Sequence, residues 1–450
     1  MKGFVPTPAE TVDQMVELLF GDGTPSPSDV VLDPGCGRGA FVDGVIRWCN
    51  ARGLPLPEIV CVESDPKHIA LLRERYATIS QVKIEQRDYL NPDSRQFRFI
   101  IGNPPYVPIT GLSVEERGRF RSMYSTARGR FDLYLLFFEQ ALRNLAPGGR
   151  LVFITPEKFL YVETAGMLRK TLAQLNVAQI LMVPEDTFPG FVTYPTITAV
   201  ENNAPGTTRF TDRYGGSRTV VLPSGTGSWL PRLLGSAEPE AGITVADICL
   251  RVSCGVATGA DRVYVRKASE LSTELLAFAR PTVSGRQIVD ERLPESGEVM
   301  LIPYNARGEL LSEERLGALG EYLRCLKPRL LERTCTRYKP WYAFHETPML
   351  TDILRPKILC KDICESPRFV ADLTGEIVPR HSVYYLVPRD PALIPTLLEY
   401  LNSEAAALWL RENSQRAAKG FLRMQSHVLQ RLPIPSEIVS PGELQNLAAR

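Results

Sequence analysis

Several features that would each have marked a function class are missing from this 450-residue chain. No apolar run approaches the roughly 20 residues needed to span a bilayer. The start, MKGFVPTPAETVDQM, has neither the charged lead nor the apolar core of an export signal. The expectation is a soluble, cytoplasmic protein with no membrane partner. Neither charge is in excess, since 52 Lys+Arg against 51 Asp+Glu leave a net +1. A near-zero total still admits a nucleic-acid partner, because only a local basic face is required. Nine cysteines, an odd number, stand at 36, 49, 61, 249, 254, 325, 335, 360 and 364 with no CxxC pair. Cys325, Cys335, Cys360 and Cys364 fit no familiar zinc spacing, so free thiols and no metal are expected. There is no internal repeat, no low-complexity tract and no convincing PD…(D/E)xK nuclease pattern.

What is present is an alternation. Over the first 200 residues, apolar β-branched runs read as strands at 30–34, 58–64, 82–88, 97–103, 150–156, 178–184 and 196–202. Amphipathic stretches lie between them, among them FVDGVIRWCNA, PKHIALLRERYA and FDLYLLFFEQALRNL, the last followed by APGG as a helix stop. Continuous apolar strands separated by helices predict a mostly parallel sheet covered on both faces. Ligands in such sheets bind beyond the carboxyl ends of the strands. The Gly-, Ser- and Pro-rich stretch 222–242 reads as a boundary, after which the pattern turns irregular and mixed.

Unusual residues gather at those strand ends. VVLDPGCGRGAF sets Gly35, Gly37 and Gly39 between the first strand and a helix, where glycine lets the backbone approach a ligand. Such a loop alone is a weak signal. Glu63 ends the second strand, a position suited to both hydroxyls of a ribose, and Asp88 ends the third, suited to an adenine amino group. Asp33 precedes the loop, where its carboxylate would repel a phosphate and suit an ammonium or sulfonium. The cofactor these residues favour is S-adenosylmethionine rather than NAD.

The fourth strand stops at GNPPY, residues 102–106. Two prolines fix two φ angles and remove two donors, so neither helix nor central strand continues. An exocyclic amine on a purine is a poor nucleophile because its lone pair is delocalised. If both N–H bonds meet acceptors, the nitrogen can pyramidalise and the lone pair becomes available. The Asn103 side-chain oxygen and the Pro104 carbonyl are candidates for those acceptors, and Tyr106 for stacking on the base. The plainer alternative is a surface turn, for which Asn-Pro and Pro-Pro are common.

The ordered set FVPTPAETVDQMV, DPGCGRGAF, ESDP, RDYL, GNPPY, FDLYLLFFEQAL-x4-PGG and TFPGFVTYPTI resembles the gamma class of DNA adenine-N6 methyltransferases. That family comprises the modification enzymes of restriction–modification systems and their orphan relatives. The resemblance covers most of residues 4–200. It implies an α/β class I methyltransferase fold, doubly wound around a mostly parallel seven-stranded sheet, with a C-terminal mixed α+β target-recognition domain. The implied domains are 1–235 and 236–450. The resemblance makes Thr7 a cofactor contact, and Asp33, Gly35, Cys36 and Gly37 the loop around the methionine end. It makes Glu63 the ribose ligand, Asp88 and Tyr89 the adenine contacts, and Phe137 an aromatic packed on the cofactor's adenine. Asn103 and Pro105 touch the cofactor as well, while Asn103, Pro104 and Tyr106 form the catalytic turn. Phe188 is implied to stack on the flipped base opposite Tyr106, with Phe191 and Tyr194 as local alternatives.

RVSCGVATGADRVYV (251–265) and RPTVSGRQI (280–288) resemble the start of the family's target-recognition domain, and 397–435 its end. Between them, KPRLLERTCTRYKPWYAF sets Lys327, Arg329, Arg333, Arg337 and Lys339 among four aromatics, a mixture suited to phosphate contact and base stacking. A solvated helix face over a packed aromatic cluster is the plainer alternative. Stacked adenine N6 is out of reach, so the base must leave the duplex, and a second lobe gripping the DNA would compensate. The implied protein is a monomer acting on double-stranded DNA, with any cleavage left to a separate cognate endonuclease. Glutamine in release factors and adenine in ribosomal RNA are alternative acceptors for an NPPY enzyme. A decayed DNA-binding subunit is a non-enzymatic alternative, against which intact Asn103, Tyr106, Glu63 and the glycine loop argue.

Overall fold

The computed structural model describes residues 5–21, 23–184, 187–188, 194–235, 242–289, 292–293, 296–346, 348–417 and 420–438. The chain separates into two compact units, Met1–Glu238 and Pro239–Arg450.

The first unit is built on one nine-stranded sheet. Its strands are β1 (Val30–Pro34), β2 (Glu58–Glu63), β3 (Val82–Gln86), β4 (Phe97–Gly102), β5 (Leu145–Pro156), β6 (Asn176–Met182), β7 (Pro195–Glu201), β8 (Thr208–Thr211) and β9 (Ser217–Val220). Their order is β3-β2-β1-β4-β5-β7-β6-β8-β9. Pairing is parallel from β3 through β5, antiparallel on both sides of β7, and parallel again between β6 and β8. The sheet is therefore mostly parallel, as the apolar runs imply. The strands read as near-continuous apolar runs because both faces are covered. Alternate residues divide between two cores, with Val31, Ile101, Val152, Ile154 and Ile197 on one side. Leu32, Ile100, Leu151, Phe153 and Val200 face the other.

Helix α1 (Ala9–Phe20) buries Val12, Met15, Val16 and Leu19 and lies against α2 (Ala40–Arg52). The approach is close enough that a Cβ on Gly44 would sit 2.4 Å from Val12. Helices α3 (Pro66–Arg75), α4 (Val114–Met123), α5 (Leu133–Arg143) and α6 (Gly166–Leu172) complete the unit's longer helices. The fold differs from the sequence reading in two places. Residues 146–149 do not stop α5, which ends at Arg143 with Asn144 as its cap; they form the bulged start of β5, with Gly148 at φ 71°. The β8–β9 hairpin extends the expected seven strands, its Asp212–Gly216 tip turning on Gly215 at φ 88°.

The second unit is mixed. One four-stranded antiparallel sheet orders Cys249–Cys254, Val383–Pro388, Lys357–Lys361 and Phe369–Asp372; a second orders Val265–Lys267, Glu298–Leu301, Ala279–Val283 and Val378–Pro379. Helices Gly317–Cys325, Ile394–Leu401 and Glu404–Asn413 pack over two apolar clusters. All nine thiols are unpaired. Among the described residues no helix is long and apolar enough to cross a membrane.

Candidate active site

Parallel strands bring their carboxyl ends to one edge, and at this edge β1, β2, β4 and β5 end at Pro34, Glu63, Gly102 and Pro156. The loop after β1 is strapped to the end of β2. Gly35 and Cys36 donate their N–H groups to the Val62 carbonyl at 2.8 and 3.0 Å. Gly37 donates to Glu63 Oε2 at 2.9 Å, while Ser64 and Asp65 donate to Oε1 at 2.6 and 2.8 Å. Gly35 and Gly37 have φ 82° and 55°, values only glycine adopts without strain. A Cβ on Gly35 would lie 3.3 Å from the Phe137 ring, so the loop and that ring form a cradle.

Beneath the loop, Asp33 is 1% exposed and neither carboxylate oxygen has a hydrogen-bond partner among the described residues. Burial, and then the charge of Glu63, push its carboxyl well above the usual carboxylate range. An unsatisfied buried charge costs about 1–3 kcal/mol or more. A cation would relieve it. Asp33 Oδ1 lies 3.5 Å from where a Cβ on Gly102 would stand, immediately before Asn103. The orphaned carboxylate and the glycine cradle together fit a cationic nucleoside. Cys36 is inert here, its thiol pushed up by a hydrogen bond with Cys61 and by burial.

Asn103 follows β4. Its Nδ2 donates to the Val5 carbonyl at 3.1 Å and to Thr7 Oγ1 at 3.0 Å. A backbone carbonyl only accepts, so this contact fixes which end of the amide is nitrogen. Both Nδ2 hydrogens are engaged, and Oδ1 is left buried without a partner among the described residues. Thr7, expected as a cofactor contact, thus orients Asn103. The Pro104 carbonyl accepts no hydrogen bond among the described residues. Val5, Thr7, Gly35, Cys36, Asn103 and Pro105 share a solvent-open cleft of about 550 Å³. Tyr106 is half-buried, its ring edge-on to Tyr134 at 6.4 Å and its hydroxyl donating to the Ile154 carbonyl at 3.4 Å. Burial raises the Tyr106 pKa, so the ring stays neutral.

Other expected site residues sit differently. Glu63 is buried and braces the glycine loop through both carboxylate oxygens. Asp88 lies outside the cleft lining, its carboxylate accepting from Leu90 N–H at 3.0 Å and Arg119 at 2.9 Å. Tyr89 and Phe137 are both buried, their rings tilted to one another with centroids 5.3 Å apart, and the Tyr89 hydroxyl donates to Asn144 Oδ1. Phe188 requires a correction. It is 1% exposed and joins the core cluster with Val183, Ile154 and Ile197, so it presents no free face for stacking. Phe191 lies outside the described residues. Sequence reasoning missed the Val5 carbonyl, because a backbone acceptor leaves no residue-type signature. It also missed the β8–β9 hairpin, although Gly215-Gly216 between two β-branched runs is a hairpin signal.

In the second unit the expected basic cluster divides. Lys327, Arg329 and Arg337 are exposed, as is Tyr338. Arg333 instead spends its guanidinium on the carbonyls of Thr258 at 2.8 Å, Ala343 at 2.9 Å, Trp341 and Leu330. Lys339 Nζ donates to the His345 carbonyl at 3.0 Å. These two are corrections: they staple a loop, because several backbone acceptors converge on them. Tyr342 and Phe344 are core residues. Among the described residues no group of His, Cys, Asp and Glu could hold a metal ion.

Residues 63–188 match the family model of the Eco57I restriction-modification methylase, and residues 306–434 that of the TaqI-like C-terminal specificity domain. The chain is similar to the Type II methyltransferase M.PaeR7I of Pseudomonas aeruginosa, with 27% identity over 96% of this chain and 86% of that protein. It is 26% identical to the Type II methyltransferase M.XhoI of Xanthomonas vasicola, over 79% of this chain and 71% of that one. Among solved structures, the Type IIL restriction-modification enzyme MmeI in complex with DNA has a TM-score of 0.67 at 11% identity. That match covers 94% of this chain and 64% of MmeI, and it is a likeness of fold.

Proposed function

The chain belongs to the restriction–modification DNA methylases, and from that premise we propose that it moves a methyl group from S-adenosylmethionine to N6 of an adenine extruded from duplex DNA. The single observation that carries this reading is the Asn103 amide, whose two N–H bonds are taken by Val5 and Thr7 while Oδ1 is left bare. A side chain held this way can only accept, and a planar amine is the partner that offers donors. With the Pro104 carbonyl as second acceptor, both N–H bonds of an adenine amine are engaged and its lone pair is drawn out of the ring. The prolines hold these acceptors rigidly, which is where the catalytic gain of positioning lies.

S-adenosylmethionine, when bound, supplies a methyl group already activated by a sulfonium. Asp33 would meet its positive end, and the Gly35–Gly37 loop would admit its backbone-sized methionine part. Phe137, beside Gly35 with Tyr89 and Glu63 behind, marks the side for the nucleoside, and Pro105 the wall between the two substrates. Tyr106, half-buried at the turn, would stack on the extruded base, a contact of about 1–3 kcal/mol. Extrusion costs a few kcal/mol. The second unit would offset it through exposed Lys327, Arg329 and Arg337 on the phosphates, with Tyr338 nearby. The protein acts as a monomer, and cleavage of unmodified DNA belongs to a separate nuclease.

Long-read sequencing of a plasmid from cells expressing the protein tests this directly. A single short motif carrying N6-methyladenine is expected. Methylated cytosine, or no DNA mark at all, refutes the assignment.

A further inference from the structure

The β8–β9 hairpin carries Tyr214 at its tip, 91% exposed, the most exposed large apolar side chain among the described residues. β8 runs parallel to β6, so the tip projects from the same edge as the Asn103 turn. It is held there firmly. Arg213 pairs with buried Glu157, just past the end of β5, and lies over the Tyr194 ring at 5.0 Å. The turn itself is tied by Asp212, whose Oδ1 accepts from the N–H groups of Tyr214 at 2.8 Å and Gly216 at 2.9 Å. The Asp212 N–H donates to the Gly216 carbonyl at 2.8 Å. The carboxylate is thus turned inward, and the only side chain thrust outward at the tip is an aromatic ring.

We propose that this hairpin tip is a duplex-binding element of the first unit, with Tyr214 packing into a groove beside the target site. The proposal rests on the reading of the chain as a DNA methylase. Charge points to the occupant. Arg209 and Arg218 are exposed on the two hairpin strands, and Arg128 and Arg130 are exposed beside the Asn103 turn. Those last two belong to a loop bound to that turn through Ile109 N–H on the Phe131 carbonyl and Leu133 N–H on the Val107 carbonyl. An edge that carries exposed arginines beside the amine-binding turn and on the hairpin strands suits a polyanion. An aromatic set among them adds stacking that tolerates any sequence. Four strand spacings of about 4.8 Å separate β8 from β4. The tip therefore stands roughly 19 Å along the edge, close to half a helical turn of duplex.

The test uses the full-length protein and duplexes centred on the motif found by sequencing. Cofactor affinity and melting temperature should be unchanged in Tyr214→Ala and Tyr214→Phe, since the ring touches solvent. Tyr214→Ala should lower kcat/KM for a long duplex by about tenfold, while Tyr214→Phe stays within about twofold, because the ring face is what stacks. Trimming the duplex to about 3 base pairs on the contacted flank should lower wild-type kcat/KM to the Tyr214→Ala level and leave that variant unaffected. An alanine variant equal to wild type on long duplex overturns the inference, as does equal loss in both variants. If wild type methylates no DNA, the underlying reading fails instead, and the hairpin assignment falls with it.

Discussion

Replacing Asp33 by Asn should push stability and cofactor affinity in opposite directions. The wild-type carboxylate is 1% exposed and lacks a donor among the described residues, and burial together with Glu63 raises its pKa. A neutral amide removes most of an unsatisfied-charge penalty of about 1–3 kcal/mol. For a unit of 238 residues, each kcal/mol moves Tm by about 2–4 °C, so the ligand-free variant should melt about 2–12 °C higher. The pH dependence has a definite sign. The folded-state pKa lies above the unfolded value, so the folded protein holds the extra proton, and wild-type stability falls as pH rises above the ordinary carboxylate range. Asn does not titrate, so the gap between variant and wild type should be small in acid and widen towards neutrality. Affinity should go the other way. Losing the contact to a cation should weaken S-adenosylmethionine by about tenfold, or 1.4 kcal/mol. At a ligand concentration 100 times the wild-type Kd, stabilisation by ligand should drop from about 2.7 to about 1.4 kcal/mol. Differential scanning fluorimetry with and without S-adenosylmethionine, from pH 5 to 8, measures both. A lower ligand-free Tm, or an undiminished ligand shift, would refute the reasoning.

Asn103→Ala should slow methyl transfer by ~10²-fold or more, the scale of losing one preorganised polar contact, while isothermal titration finds cofactor affinity nearly unchanged. Thr7→Val frees one Nδ2 hydrogen of Asn103 and should cost about 2–12-fold in kcat, the worth of one hydrogen bond; Thr7→Ser should restore it, and a change confined to KM for the cofactor would speak for direct contact instead. In the second unit, Arg333→Ala should lower Tm because it strips donors from four carbonyls, whereas the triple change of Lys327, Arg329 and Arg337 to Ala should leave Tm alone and reduce the salt slope of DNA binding by about 0.9 per lost phosphate contact.

How much was legible in advance differs between scaffold and site. The strands of the sheet were visible because each must bury both faces, which forces apolar runs of a length that only strands use. The strand-end positions of Asp33, Glu63 and Asn103 were legible for the same reason: a polar residue directly after an apolar run stands at the sheet edge. Buried aromatics were harder. Phe188 and Phe137 share a residue type and an apolar setting, yet one is walled in by Val183 and Ile197 while the other edges Gly35. The arginines posed the same difficulty. Arg329 and Arg333 are four residues apart, but carbonyls from residues 258, 330, 341 and 343 converge on only one of them.

The amino-acid sequence by itself determined the mostly parallel sheet, the glycine loop and the rigid Pro-Pro turn, because periodicity, glycine and proline act through local backbone physics. Only the tertiary structure decided that the Asn103 amide is clamped from the N-terminal segment, nearly a hundred residues away in the chain. It alone left Asp33 without a donor among the described residues and set Tyr214 on the same edge. A hydrogen bond, an orphaned charge and a shared edge are relations between distant residues, and no single stretch of chain carries them.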